Sequence, residues 1–395
     1  MMSVYRNSSS NGLPADDEMP SYEEAIAEGA NPTSARAPSF SGSVPSLNLH
    51  NGTLPPSMLR LRMLGRTDGQ HGQNGPVTAL VFNPKGYVVS SLDNAGTALS
   101  SNTRLWDFLP KSRQPGAAAG VRLVSSDSYN DAHVVVFSPD SKLVAVAEKD
   151  IGSRRERRVK LRSGDEGRGV RCILNGVAQP AVFSGDGQML AATDSAGVVV
   201  VFETATSPRG MPPTKKVAGV VNHAPPTHVL FMPNGTDLVT LSMDGTVRVA
   251  EARTGRTLRR MEVDGAAMTG SGGTGARALG VSPDGRVVVS VWSRAVYVWE
   301  HEAGRVSSWE LNKVRSSEGW PLAVSPDCRF LACRTDDGVD ISDLYSGHVL
   351  GEVRTGAAGI DELVTATAFS ADGRFMAVGR YSGVVELWKL APFGG

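Results

Sequence analysis

Seven copies of one short turn signal run through this 395-residue chain, and no other feature of the sequence restricts its fold as strongly. The copies are Val81-Phe82-Asn83-Pro84-Lys85-Gly86, Val136-Phe137-Ser138-Pro139-Asp140, Val182-Phe183-Ser184-Gly185-Asp186-Gly187, Leu230-Phe231-Met232-Pro233-Asn234-Gly235, Gly280-Val281-Ser282-Pro283-Asp284-Gly285, Ala323-Val324-Ser325-Pro326-Asp327 and Ala368-Phe369-Ser370-Ala371-Asp372-Gly373. Counted from the Phe or Val before each turn, the periods are 55, 46, 48, 50, 43 and 45 residues. Pro presets φ for the second position of a type I turn, Asp or Asn accepts backbone N–H groups, and Gly takes the left-handed conformation that closes a hairpin. Each copy therefore predicts an apolar strand, a tight turn and a second apolar strand such as Leu143 to Ala147 or Leu238 to Leu241.

A second turn follows in most units, at Asp93-Asn94-Ala95-Gly96, Asp194-Ser195-Ala196-Gly197 or Met243-Asp244-Gly245, and leads to a third strand. That strand ends in Trp106-Asp107 in the first unit, in Trp299-Glu300 and Trp388-Lys389 as near variants, and in Phe202-Glu203, Ala250-Glu251 and Ser342-Asp343 as more distant ones. Taken together, the apolar-Phe-Ser-Pro-Asp-Gly block, the following Asp-Gly turn and the aromatic-acid ending resemble the WD40 repeat across residues 59–392. The resemblance implies an all-β fold: a seven-bladed β-propeller of four-stranded antiparallel blades. It also implies closure by an N-terminal strand, Leu59 to Leu64, pairing with the last blade at Val384 to Leu390, because an open ring would expose sheet edges. Structural roles follow for Asp107, Asp194, Asp244, Trp299 and Trp388, and a buried hydrogen-bond network in blade 1 using His71, Asp93 and Trp106. The Gly-His dipeptide of the family is mostly absent, His71 and His223 being its nearest counterparts.

The first 58 residues contain 11 Ser and 7 Pro with few large apolar groups, too little to offset the entropy of ordering. A disordered tail is expected there, with the propeller starting at Leu59, where Leu59, Leu61 and Met63 alternate with Arg60, Arg62 and Leu64. Basic and acidic residues balance at 40 each, so no global field gathers nucleic acid or an anionic membrane. No apolar run approaches the ~20 residues of a transmembrane helix, and no secretory signal opens the chain. Three cysteines without metal-ligand spacing fit a reducing compartment. The expectation is a soluble protein of the cytoplasm, with the nucleus as the alternative, monomeric outside complexes.

Two stretches stand out as partner-binding candidates. In blade 2 the loop leading into the third strand, expected at Val159 to Arg162, carries a basic run of Arg154, Arg155, Arg157, Arg158, Lys160 and Arg162 against the single acid Glu156. As a loop it reads either as a solvated charge run or as a site for a phosphorylated or acidic ligand, a phosphoinositide headgroup included, since Arg forks bind phosphate and carboxylate bidentately. In the tail, Met19-Pro20-Ser21-Tyr22 resembles a WW-domain ligand centred on Pro20 and Tyr22, and Ser21 with Glu24 has capping-box spacing. Six acids and no base lie between residues 16 and 28, which suggests a tail that folds back on the basic segment. The seven histidines show no zinc-ligand spacing, and no haem-attachment, nucleophile-elbow or phosphate-loop motif is found. The reading is a non-enzymatic protein-interaction scaffold without cofactor; a cofactor-dependent propeller enzyme is the remaining alternative.

Overall fold

The computed structural model describes residues 59–67, 75–84, 88–93, 101–108, 121–129, 132–149, 157–163, 170–204, 216–220, 222, 224–263, 276–292, 295–310, 321–335, 338–354 and 362–392. The tail, with Pro20 and Tyr22, lies outside the described residues, as do His71, His223, Arg154 and Arg155.

The described residues form 28 strands in seven antiparallel four-stranded sheets. Blade 1 is β2 (Val77–Phe82), β3 (Val88–Asp93), β4 (Ser101–Asp107) and β5 (Arg122–Tyr129). Blade 2 is β6 (Ala132–Phe137), β7 (Leu143–Lys149), β8 (Arg157–Ser163) and β9 (Val170–Asn175); blade 3 is β10 (Val177–Phe183), β11 (Met189–Asp194), β12 (Val199–Glu203) and β13 (Lys216–Val220). Blade 4 is β14 (Pro226–Phe231), β15 (Asp237–Ser242), β16 (Thr246–Glu251) and β17 (Thr257–Glu262); blade 5 is β18 (Ala276–Val281), β19 (Val287–Trp292), β20 (Ala295–Glu300) and β21 (Arg305–Glu310). Blade 6 is β22 (Pro321–Val324), β23 (Phe330–Thr335), β24 (Gly338–Asp343) and β25 (Val349–Arg354). Blade 7 is β26 (Val364–Phe369), β27 (Phe375–Arg380), β28 (Val385–Pro392) and, on its outer edge, β1 (Leu59–Arg66).

Closure follows from two observations. β1 pairs with β28 from Leu59 opposite Pro392 to Arg66 opposite Glu386, so the two ends of the described chain share one sheet. The innermost strands then touch in an unbroken cycle, β2 to β6 to β10 to β14 to β18 to β22 to β26 and back to β2. The alternation expected in β1 is corrected near its end. A bulge between Met63 and Gly65 turns Met63 outward, where it is exposed, and buries Leu64 against blade 1.

The recurring turns hold as their chemistry dictates. In blade 2 the Ser138 hydroxyl donates to Asp140 Oδ1 at 2.7 Å, while the N–H groups of Leu143 and Lys142 donate to Ser138 Oγ and Asp140 Oδ1 at 2.9 and 3.0 Å. Ser184 with Asp186 and Ser282 with Asp284 repeat the contact at 2.6 Å, and Ser325 with Asp327 and Ser370 with Asp372 repeat it in blades 6 and 7. Burial alone would raise the Asp140 carboxyl; hydrogen bonds from Ser138 and Lys142 outweigh it and hold the group below the ordinary range.

The core is distributed over the seams between blades. Separate apolar clusters join blades 7 and 1, 2 and 3, 3 and 4, 4 and 5, 5 and 6, and 6 and 7. At the junction of blades 1 and 2, Leu105 of blade 1 and Val144 and Val146 of blade 2 are buried, and Ser141 Oγ donates to Asn83 Oδ1 at 2.7 Å.

Candidate functional site

The third strand expected at Val159 to Arg162 is β8, and it begins two residues earlier, so the basic segment is strand over more of its length than the sequence suggested. β8 starts at Arg157, so Arg157, Arg158, Lys160 and Arg162 all lie on a ladder held by β7 on one side and β9 on the other. The reason is the period of two: Val159 and Leu161 are buried in the cluster shared with blade 3, which gives the strand an apolar anchor despite its charge. Alternation then puts Arg158, Lys160 and Arg162 on the opposite face, toward blade 1, where each is half-buried. The third-strand aromatics of other blades also face the preceding blade: Trp106 packs with blade 7 and Trp299 with blade 4. By strand register Arg162, opposite Val144, occupies the place that Trp106 takes opposite Val88.

Across the β8/β9 ladder, Arg158 stands opposite Asn175, Lys160 opposite Ile173 and Arg162 opposite Val170. Directly opposed residues share a face. Val170 and Ile173 are exposed, as are Leu258 and Val306 on the outer strands of blades 4 and 5. The result is a strip on the outer half of blade 2 with a basic row beside an apolar row. In the β7 register Glu148 stands opposite Arg158, so by position an acid shares this face.

The remaining residues singled out from the sequence are structural. Asp194 Oδ1 accepts the N–H groups of Ala196 and Val198 at 2.8 and 2.9 Å, and Asp244 Oδ1 that of Thr246 at 3.0 Å, each closing the turn before a third strand. Trp106, Trp299 and Asp107 are buried, and Asp93 ends β3 opposite Ser101. The expected His71, Asp93 and Trp106 network falls partly outside the described residues.

Two polar networks escaped the sequence reading. In blade 7 the Arg380 guanidinium grips Glu386 through two bonds, Nε to Oε1 at 3.0 Å and Nη2 to Oε2 at 2.8 Å, with both side chains only 2% exposed. Arg380 Nη1 donates to the Glu362 carbonyl at 2.7 Å and Trp388 Nε1 to Glu386 Oε2 at 3.2 Å. Arg66, at the end of β1, reaches Glu362 at 3.0 Å and Glu386 at 3.5 Å. In blade 4 the buried Thr240 hydroxyl donates to Asn222 Oδ1 at 3.1 Å, so the polar side chain packed beneath this blade is Asn222 and the neighbouring His223 is outside the described residues.

On the inner strands, a register shift near the start leaves residues unpaired, among them Thr227 in β14 and Arg277 in β18. Thr227 Oγ1 donates to the Leu241 carbonyl at 3.0 Å and lies 3.1 Å from His228 Nδ1. Burial pushes His228 down to about 4, against a smaller opposing bond to the Arg277 backbone. Among the described residues no three His, Cys, Asp or Glu side chains converge on a common point, and no helix is long and apolar enough to cross a membrane. No protein-family model matches the chain, and a search of curated proteins gives no match either.

Proposed function

We propose that the chain is a divergent WD40-type scaffold of the cytoplasm or nucleus that binds protein partners and catalyses no reaction. The observation that supports this best is self-completion: with β1 on β28, the ring needs no second chain to close its sheets and leaves its loops and outer strands to partners. The fold alone hosts many functions, so the reading rests on the surface it presents.

A second, more specific reading concerns the ligand: the β8/β9 strip receives acidic or phosphorylated groups. Three cations on one strand face repeat every 6.6–6.8 Å or so, the same spacing as alternate side chains of an extended partner. Arg and Lys pair with carboxylate and phosphate through charge-assisted bonds. The test is binding of fluorescent hexaglutamate and of phosphoserine peptides to the full chain, followed by anisotropy. Affinity at low salt should fall at least tenfold in Lys160→Ser/Arg162→Ser and stay unchanged in Arg259→Ser/Arg260→Ser, which removes equal charge from the exposed β17. Equal binding by all three proteins would defeat this reading. Capture only by vesicles bearing phosphoinositides would assign the strip to a lipid headgroup instead.

A further inference from the structure

We propose that β1 is an exchangeable strap: it leaves the β28 edge from its Leu59 end, and the vacated edge accepts β1 of a second copy of this chain. The inference stands on the β1/β28 pairing alone, so its failure would leave the scaffold reading untouched.

Chain order is the first argument. In blades 1 to 6 the outer strand follows the third strand directly in sequence, as β17 follows β16, whereas in blade 7 the outer strand comes from the other end of the described residues. β1 can therefore leave without unfolding a hairpin of its own sheet. An identical strand from another chain remakes every contact in the same register, so monomer and exchanged dimer differ little in energy and concentration sets their balance. The open β28 edge favours recapture, because a row of unpaired backbone groups invites a strand.

The grip on β1 is uneven, and this is the second argument. Leu64 is its one buried apolar side chain. Close by, the N–H of buried Thr67 donates to the Val385 carbonyl at 2.9 Å, and the Val385 N–H donates to Thr67 Oγ1 at 3.0 Å. Arg66 adds its contacts to Glu362 at 3.0 Å and Glu386 at 3.5 Å. From Leu59 to Met63 no side chain is buried. Local opening begins where few apolar contacts hold the backbone, so fraying starts at Leu59 and residues 64–67 form the latch.

Two features fit the edge to this particular strand. Glu362 and Glu386 share the buried Arg380, and Arg66 brings a second guanidinium to the same carboxylates. At the other end, Leu59 and Leu61 pack at the seam of blades 6 and 7 over Gly351 of β25, where a Cβ would lie 3.1 Å from Leu61 Cδ1 and 3.3 Å from Leu59 Cβ. The edge thus selects an alternating apolar strand that ends in a base, and β1 of another copy supplies both.

Disulfide trapping between two populations of the full chain tests this, in a Cys172→Ser background that leaves only the buried Cys328 and Cys333. One population carries Arg60→Cys and the other Ala391→Cys, positions directly opposite across the ladder and so within the span of a disulfide. Under mild oxidation a dimer linked from position 60 to position 391 should accumulate. Its rate should rise about tenfold in Arg66→Ser/Thr67→Val, which removes the latch contacts. It should rise several-fold in Gly351→Ala, which lies on blade 6 and leaves the blade 7 sheet untouched. A chain carrying both cysteines should close within itself and cease to exchange. Absence of the linked dimer, an equal yield from Arg60→Cys chains alone, or a rate indifferent to both loosening changes would overturn the proposal.

Discussion

Substituting Glu386 by Gln keeps the shape of the blade 7 network and removes its negative charge, leaving the Arg380 guanidinium 2% exposed with the more distant Glu362 carboxylate at 3.4 Å. Breaking a buried ion pair by removing one partner costs about 3–5 kcal/mol, since the survivor stays desolvated. The remaining Glu362 contacts place Glu386→Gln near the low end, about 3 kcal/mol. Arg380→Met should cost about as much, because Glu386 keeps only Trp388 Nε1 and the 3.5 Å contact with Arg66. The double change Arg380→Met/Glu386→Leu behaves differently. It removes both charges and leaves only the Trp388 N–H and the Glu362 carbonyl short of a partner, about 1 kcal/mol each, partly offset by apolar packing. It should therefore be more stable than either single variant, at about 1 kcal/mol below wild type. Urea unfolding read by tryptophan fluorescence and far-ultraviolet circular dichroism, with coincident transitions required, measures these differences. The single variants should lose roughly 6 °C of Tm at about 2 °C per kcal/mol for a domain of this size. Because Arg66 ties β1 to the same carboxylates, early amide exchange should concentrate on β1 and β28. Single-variant losses under about 1 kcal/mol, or a double variant whose loss is the sum of the two, would refute the coupling argued from the geometry.

Gly255 has φ +75° and a Cβ there would sit 2.3 Å from the Gly219 carbonyl oxygen of blade 3, whereas Gly235 has φ +70° and open space around it. Gly235→Ala should cost about 1 kcal/mol from backbone strain alone and Gly255→Ala clearly more, both read by urea unfolding. Burial pushes the Cys328 and Cys333 thiols up to about 12, so an aromatic disulfide reagent at pH 8 should titrate Cys172 first, with the other two reacting at the rate of unfolding. His228 is held down to about 4 against an unfolded value near 6.5, so the unfolded chain takes up the proton first and stability falls as pH drops from 6.5 to 4. The loss is about 2–3 kcal/mol, and His228→Gln should remove that part of the pH dependence of urea midpoints without touching the carboxylate losses below pH 4.

How much of this was legible depended on whether local chemistry or partners fix a residue. The turns were readable because Ser, Pro, Asp and Gly act on their own backbone, and blades 2, 3, 5, 6 and 7 carry the same Ser-to-Asp bond. The closing strand was readable from its alternation, and only the bulge after Met63 displaced its phase. The outer strands gave no comparable signal. β17, Thr257–Glu262, buries only Met261 of its six residues, so nothing apolar recurs to mark it. β8 was legible from Val159 to Arg162, but its start at Arg157 was not, because Arg157 and Arg158 precede the two residues, Val159 and Leu161, that anchor it.

The polar networks were illegible because their members are scattered and their roles are traded between residue types. Blade 7 brings together Arg66, Glu362, Arg380, Glu386 and Trp388 from segments separated by up to 322 positions, 388 minus 66. Blade 4 uses Asn222 and Thr240, and blade 5 has Trp292 Nε1 donating to Ser290 Oγ at 3.2 Å. Each arrangement gives buried polar atoms partners beneath its blade. A blade therefore constrains polar satisfaction and shape at these positions more tightly than it constrains residue identity. The turn positions are constrained the other way, since a left-handed φ admits few side chains: Gly occupies it in blades 3, 4, 5 and 7, and Ser141 and Cys328 adopt φ 58° and 54° in blades 2 and 6. Those two exceptions are held by neighbours, Ser141 through Asn83 of blade 1 and Cys328 by complete burial in the blade 5 and 6 cluster. The repeat thus keeps its turns and its strand alternation while the residues at its other positions vary from blade to blade, which is the pattern expected of a propeller whose core lies in the seams.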